Sequence, residues 1–156
     1  MNLIKKYALN YLSKYDSSKK NLELILRKKI NRLNLEKKDK YLLFNSIDTI
    51  ILELEKKNII NDNNYIDRKI LNLSSQAKSK NFIANYLLQK GLNKDAINMR
   101  LREFELNNED WEYQSAKLFI IKKKINIKNK EMKQKYLSKM SRAGFNYSLC
   151  KKILEL

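Results

Sequence analysis

QKGLNKDAINMRL at residues 89–101 and RAGFNYSLCKKIL at 142–154 contain both glycines, Gly91 and Gly144, of a 156-residue chain that has no proline. A glycine after a helical run sits at the position where the backbone turns to positive φ and a Cβ is penalised. Leu92 and Phe145 then supply an apolar residue that can fold back on the last helical turn. Asn93 and Asn146 can accept hydrogen bonds from the free amides of a following helix. Both stretches therefore predict helix, glycine turn, capped helix. Aligned on their glycines, they also share apolar positions: Ile83 with Tyr136, Leu87 with Met140, Ala96 with Leu149 and Leu101 with Leu154. Such self-similarity points to an internal repeat. Any two helix hairpins closed by glycine share these features, so the pair by itself leaves the repeat open.

The composition agrees with an all-helical chain. Abundant Leu, Ile, Lys, Asn and Glu beside two glycines favours helices with short connections. No apolar run approaches the ~18 residues of a membrane span, and MNLIKKYALNYLSKY is too polar and too regularly amphipathic for a secretory signal. Cys150 is the single cysteine, which excludes an intramolecular disulfide and fits a reducing cytoplasm. It is expected to be a buried small apolar residue. With no histidine and one cysteine, the usual general base and the ordinary zinc ligands are missing. No glycine-rich phosphate loop exists either, and the acidic residues are scattered. The chain is expected to be neither an enzyme nor a cofactor-binding or metal-binding protein.

The formal charge of +17 implies attraction to a polyanion, or to a complex that contains one. A second explanation stands beside it: lysine supplies 28 of the 34 basic residues, as an AT-rich coding sequence would produce whatever the function. The charge is unevenly spread. Residues 117–142 hold ten basic and one acidic residue, whereas 64–116 hold eight basic and seven acidic.

Periodicity divides the chain into three units of three helices, residues 1–61, 62–108 and 109–156. The first begins with two helices between residue 3 and about 32: Leu9, Leu12 and Tyr15 mark one side of the first, and Asp16, Ser17 and Ser18 offer a cap for the second. Leu22, Ile25, Leu26 and Ile30 form the stripe of that second helix. A longer third helix, from about Asp39 to Lys57, carries Leu43, Phe44, Ile47, Ile51 and Leu54. In the second unit, Asp62 is the expected cap of a helix from about Asn63 to Gln76 with Tyr65, Ile66, Ile70 and Leu73; Lys78 and Ser79 mark a break before a helix over Ile83 to Lys90. The third unit opens at Asn108 or Asp110 with Trp111, Ala116, Phe119 and Ile120, continues with a helix from about Lys130 to Arg142, and ends in one that begins at Asn146. Tyr65 and Trp111 are expected to be core residues. Small units that cannot each close a core stack on their neighbours, so the expected fold is all-α, three tandem three-helix repeats forming an elongated, curved array.

These segments, in this order, resemble the RecX family of regulatory proteins. The resemblance rests on ALNYLSKYDSSKKNLELILRKK at 8–29, IINDNNYI at 59–66, IANYLLQKGLN at 83–93, DWEYQSAKL at 110–118 and KQKYLSKMSRAGFNY at 133–147. Family members commonly have glycines and a proline where this chain has Ala77, Ser79 and Lys80, and they are richer in arginine; lysine in its place forfeits bidentate phosphate contacts. The resemblance implies a modulator, chiefly an inhibitor, of the RecA recombinase in DNA repair and the SOS response. Such a protein lodges as a monomer in the groove of the RecA filament on single-stranded DNA and hinders filament growth, ATP hydrolysis and strand exchange.

The candidate contacts to that filament or its DNA are Lys78, Lys80, Lys90, Arg100, Lys122, Lys123, Lys124, Lys128, Lys130, Lys133, Lys135 and Arg142. Two other readings are kept. One is a freestanding helical DNA-binding protein that binds duplex DNA without a protein partner, against which stands the lack of a helix with clustered Arg, Asn and Gln. The other is a structural adaptor whose charge reflects codon usage alone.

Overall fold

The computed structural model describes residues 2–156. Among them are nine α-helices and no strand: α1 Leu3–Leu12, α2 Lys19–Arg32, α3 Lys37–Lys56, α4 Asp62–Ser75, α5 Lys80–Gln89, α6 Lys94–Asn107, α7 Trp111–Lys122, α8 Lys133–Arg142 and α9 Tyr147–Leu154. The all-helical expectation holds. None of the described helices is long and apolar enough to cross a membrane. Three local expectations shift: α3 starts at Lys37 instead of about Asp39, α5 starts at Lys80 instead of Ile83, and Lys130–Met132 forms a 3₁₀ turn ahead of α8.

The chain divides into two compact units, one running to Tyr65 and including Lys90–Leu92, the other comprising Ile66–Gln89 and Asn93–Leu156. The core of the first is built by Ile4 and Ala8 of α1, Leu22, Leu26 and Ile30 of α2, and Ile47, Ile50 and Leu54 of α3. Of the stripe expected on α1, Leu9 and Leu12 are half-buried against this core, whose centre on that helix is Ile4 and Ala8. Tyr15 lies beyond the helix and is exposed, stacked against Tyr11 with ring centroids 5.0 Å apart. In the second unit Ala116, Phe119, Leu137, Met140, Phe145, Cys150 and Leu154 form one cluster. Cys150 is fully buried, and burial pushes its thiol up from its ordinary value, so it behaves as a small apolar residue. Tyr65 and Trp111 are buried as expected, the latter edge-on to Phe104 with centroids 5.5 Å apart.

The asparagine caps form as read: Asn93 accepts from the Ala96 amide at 3.1 Å and Asn146 from the Leu149 amide at 2.7 Å. The acidic caps do not. Asn61 caps α4 by accepting from the Asn64 amide at 3.0 Å, and Asp110, at φ +60, makes no side-chain cap to α7. Five residues after each glycine the expected Ala96 and Leu149 are only half-buried and their neighbours Ile97 and Cys150 fill the core, while Leu101 and Leu154 are buried as expected.

Gly91 and Gly144 have φ of +79° and +94°. Positive φ alone does not explain them, since Asn58, Ala77, Asp110, Lys124 and Glu155 adopt it as well. After α3, α4 and α7 the same helix-ending hydrogen bond forms around a residue with a side chain, for example from the Ile59 amide to the Leu54 carbonyl at 2.9 Å and from the Ile125 amide to the Ile120 carbonyl at 3.0 Å. What sets the glycines apart is space. A Cβ on Gly91 would lie 2.5 Å from Lys20 Cγ, and one on Gly144 would lie 2.5 Å from Ser79 Oγ.

Each glycine turn is held by a buried serine at the start of another helix. In the first unit Ser18 caps α2, accepting from the Asn21 amide at 3.2 Å while its hydroxyl donates to the Lys90 carbonyl at 2.9 Å. In the second unit Ser79 caps α5, accepting from the Phe82 amide at 3.1 Å and donating to the Ala143 carbonyl at 2.8 Å. The residue after each serine repeats the correspondence. The Lys19 amide donates to Asp62 at 2.9 Å and its ammonium pairs with Glu55 at 2.8 Å; the Lys80 ammonium pairs with Glu105 at 2.8 Å, and its charge acts on the Glu112 carboxyl. The same joint is thus built twice from the dipeptide Ser-Lys.

Candidate nucleic-acid interface

The sequence-predicted cations separate in the structure into engaged and unengaged groups. Arg100 makes a bidentate pair with Asp67 and a further contact to Glu103, which together raise its pKa. Lys80 pairs with Glu105, and the Lys90 carbonyl belongs to the first glycine joint. Lys133 donates to the Glu155 carbonyl at 3.3 Å. Lys124, Lys128, Lys130 and Lys135 are exposed on the segment from the end of α7 into α8.

Four predicted residues converge: Lys78, Lys122, Lys123 and Arg142 line one cavity of about 360 Å³. It opens where three chain segments meet, the link after α4 with the start of α5 (residues 76–82), the end of α7 and the end of α8. Its size falls within the roughly 300–1,000 Å³ of small-ligand sites. No acidic residue is among those that line it, and none of the four cations is in an ion pair among the described residues.

Local sequence explains how the cations come together. After α4, Ala77 takes φ +64° with the Lys78 amide bonded to the Leu73 carbonyl at 3.2 Å, and Ser115 of α7 donates to the Lys78 carbonyl at 2.7 Å. This bend puts a residue with a Cβ in the left-handed region, at the cost of a strained alanine. At the end of α7, Lys123 caps the helix and Lys124 takes φ +53°, leaving three successive lysines at its carboxyl end. One cation per helix end complements the dipole. Three exceed that need.

Sequence reasoning missed the aromatic part of the site. Phe82 and Phe119 line the same cavity, with the Lys78 ammonium 4.6 Å from the Phe82 ring centroid and that of Lys123 5.9 Å from Phe119. Phe119 is also a core residue, edge-on to Phe145 with ring centroids 5.5 Å apart. Phe82 carried a usable signal: it falls on the polar side of α5, away from the buried Ile83 and Leu87, and is 38% exposed. A second, adjoining hollow of about 220 Å³ shares Phe82, Arg142 and Ala143 and is otherwise lined by Asn81, Asn85, Tyr86, Gln89 and Gly144. Unpaired cations interleaved with aromatic rings and amides are the chemistry of a single-stranded nucleic-acid path.

No family model matches the chain. It is 30% identical to the regulatory protein RecX of Clostridioides difficile (strain 630) over 156 residues, 96% of this chain and 66% of that protein. It is 22% identical to the regulatory protein RecX of Myxococcus xanthus (strain DK1622) over 157 residues, 95% of this chain and 82% of that one. In fold it is similar to the crystal structure of RecX from Lactobacillus salivarius, with a TM-score of 0.71 at 21% identity over 97% of this chain and 92% of that one. A further crystal structure of regulatory protein RecX gives 0.67 at 18% identity over 97% and 70%. Similarity of sequence along nearly the whole chain and of fold together mean that the chain belongs to the RecX family of regulatory proteins.

Proposed function

We propose that this chain is a non-enzymatic modulator of the RecA recombinase. It binds the groove of the filament on single-stranded DNA and acts chiefly as an inhibitor of filament growth, ATP hydrolysis and strand exchange. The observation that carries this reading is the cluster of unpaired Lys78, Lys122, Lys123 and Arg142 around one cavity in a member of the RecX family. Ion pairing has already engaged Arg100 and Lys80, so these four cations remain available to phosphate. The duplicated serine–glycine joint supports reading the nine helices as three tandem three-helix units, each joint tying the second helix of one unit to the glycine turn of the next.

The test is ATP hydrolysis by RecA filaments on single-stranded DNA with this protein titrated in. Inhibition well below one copy per recombinase subunit supports the modulator. Unchanged hydrolysis with retained binding to bare DNA moves the reading to a freestanding DNA-binding protein. The affinity for single strands should also fall with salt, with a logarithmic slope of about 0.7 per phosphate contact.

A further inference from the structure

We propose that Phe82 is a stacking platform for one unpaired base, with the adjoining phosphodiester held by Arg142 and Lys78. The site is therefore selective for single strands whose bases are splayed out. The inference deepens the proposed function and rests on its nucleic-acid partner.

Three observations carry it. Phe82 and Arg142 belong to both adjoining hollows, so they form the divide over which a strand passes from one to the other. On one side of the divide lie lysines and no carboxylate; on the other lie the amides of Asn81, Asn85 and Gln89, which can donate to and accept from base edges. Phe82 itself is 38% exposed beside a helix whose core contacts are made by Ile83 and Leu87, so burial does not account for a phenyl ring there. The Lys78 ammonium now rests 4.6 Å from the ring centroid. An exposed cation–π contact is weaker than a charge-assisted hydrogen bond to phosphate, so an arriving strand draws the ammonium off the ring and leaves the ring to the base. The platform is held in place by the neighbouring joint, since the Phe82 amide is capped by Ser79 and Asn81 donates to the Gly144 carbonyl at 3.0 Å.

The experiment is fluorescence anisotropy of labelled single-stranded oligonucleotides, one carrying thymine bases and one of equal length and charge with abasic sites. The full chain is measured as wild type and as Phe82→Leu, Phe82→Tyr and Arg142→Gln. The wild type should bind the base-bearing strand at least roughly fivefold more tightly than the abasic one. Phe82→Leu should lose that preference while keeping its abasic affinity, and Phe82→Tyr, which retains a ring, should keep the preference. Arg142→Gln should weaken both strands alike and lower the salt slope by about 0.7. Equal wild-type binding to the two strands, no binding to either, or loss of the preference in Phe82→Tyr as well as Phe82→Leu overturns the platform. Recombinase ATP hydrolysis in parallel separates the two ideas: inhibition without base preference leaves the modulator standing and removes the platform, whereas base preference without inhibition does the reverse.

Discussion

The turn at Gly91 and the turn at Gly144 are the same joint with different tolerances. In both, a buried serine caps one helix and reaches across to the carbonyl that precedes the glycine. At Gly91 the space for a Cβ is taken by the stem of Lys20, whose Cγ and Cβ would lie at 2.5 and 2.7 Å. At Gly144 it is taken by the hydroxyl of Ser79, the group that makes the joint, with Asn81 Cβ and the Phe82 amide at 3.4 Å behind it. Asn81 adds a bond to the Gly144 carbonyl. The Lys20 Cβ is fixed by the helix backbone and cannot swing aside, whereas the Ser79 hydroxyl can rotate away by giving up its two hydrogen bonds. The lesson is that glycine is kept where a neighbour occupies the Cβ position, while positive φ by itself is met by Asn58, Ala77 and Lys124.

The comparison is tested most severely by filling the two turns. Gly91→Ala should cost about 3 kcal/mol, the positive-φ penalty together with a clash against the backbone-fixed Lys20 Cβ, and Gly144→Ala about 2 kcal/mol, the same penalty with loss of the serine bond. Urea unfolding of both variants measures this. Equal costs would remove the asymmetry, and a cost below about 1 kcal/mol at Gly144 would mean that the joint relaxes freely. Next in size, Ser18→Ala and Ser79→Ala each lose one cap and one donor to a carbonyl. They should cost about 1.5 kcal/mol apiece and should match one another, because the two bonds are the same in both. A large difference between the serines would locate the asymmetry in the caps instead of the glycines.

Smaller effects sharpen the acidic half of the joint. Burial raises the pKa of Glu112 against the opposing influence of Lys80. A carboxyl whose folded-state pKa is raised contributes stability that is present at low pH and lost as pH rises through the folded value. Glu112→Gln should therefore remove a decline in stability that begins as pH passes the ordinary glutamate range. Glu53 has the opposite sign. Hydrogen bonds from Lys5 and then Lys57 hold its carboxyl down to about 2, so its contribution is present above the ordinary range and lost as pH falls toward that value. Thermal melts across this span, with Glu112→Gln and Glu53→Gln, should show two slopes vanish in opposite directions. The smallest changes belong to the exposed pairs of the joint: Lys19→Met and Lys80→Met should each shift stability by less than about 0.5 kcal/mol.

Much of this was legible in the sequence. Helical periodicity, two glycines and asparagine caps at Asn93 and Asn146 are local signals, set by backbone geometry and by side chains within three residues, and the structure keeps them. The burial of Leu22, Leu26, Ile30 and Cys150 follows from the same spacing. The errors are also local in origin. Asp62 reads as a helix cap from its neighbours, but its carboxylate is drawn to the Lys19 amide, a partner distant in sequence, and Asn61 caps instead. The site was legible only as a list of cations. Sequence could not separate Arg100, which Asp67 and Glu103 engage, from Arg142, which nothing acidic reaches, because ion pairing depends on which helices lie side by side. It had no signal for the convergence of three chain segments around Phe82 and Phe119.

What the sequence determined by itself is the helical character of the chain, its turns, its cationic excess and, through the order of its motifs, its kinship. What only the tertiary structure decided is which glycine is crowded by what, which cations remain unpaired and which rings stand beside them. The physical reason is range: propensity, periodicity and capping act within a turn or two of helix, whereas crowding, ion pairing and cavity lining are set by residues brought together from far along the chain.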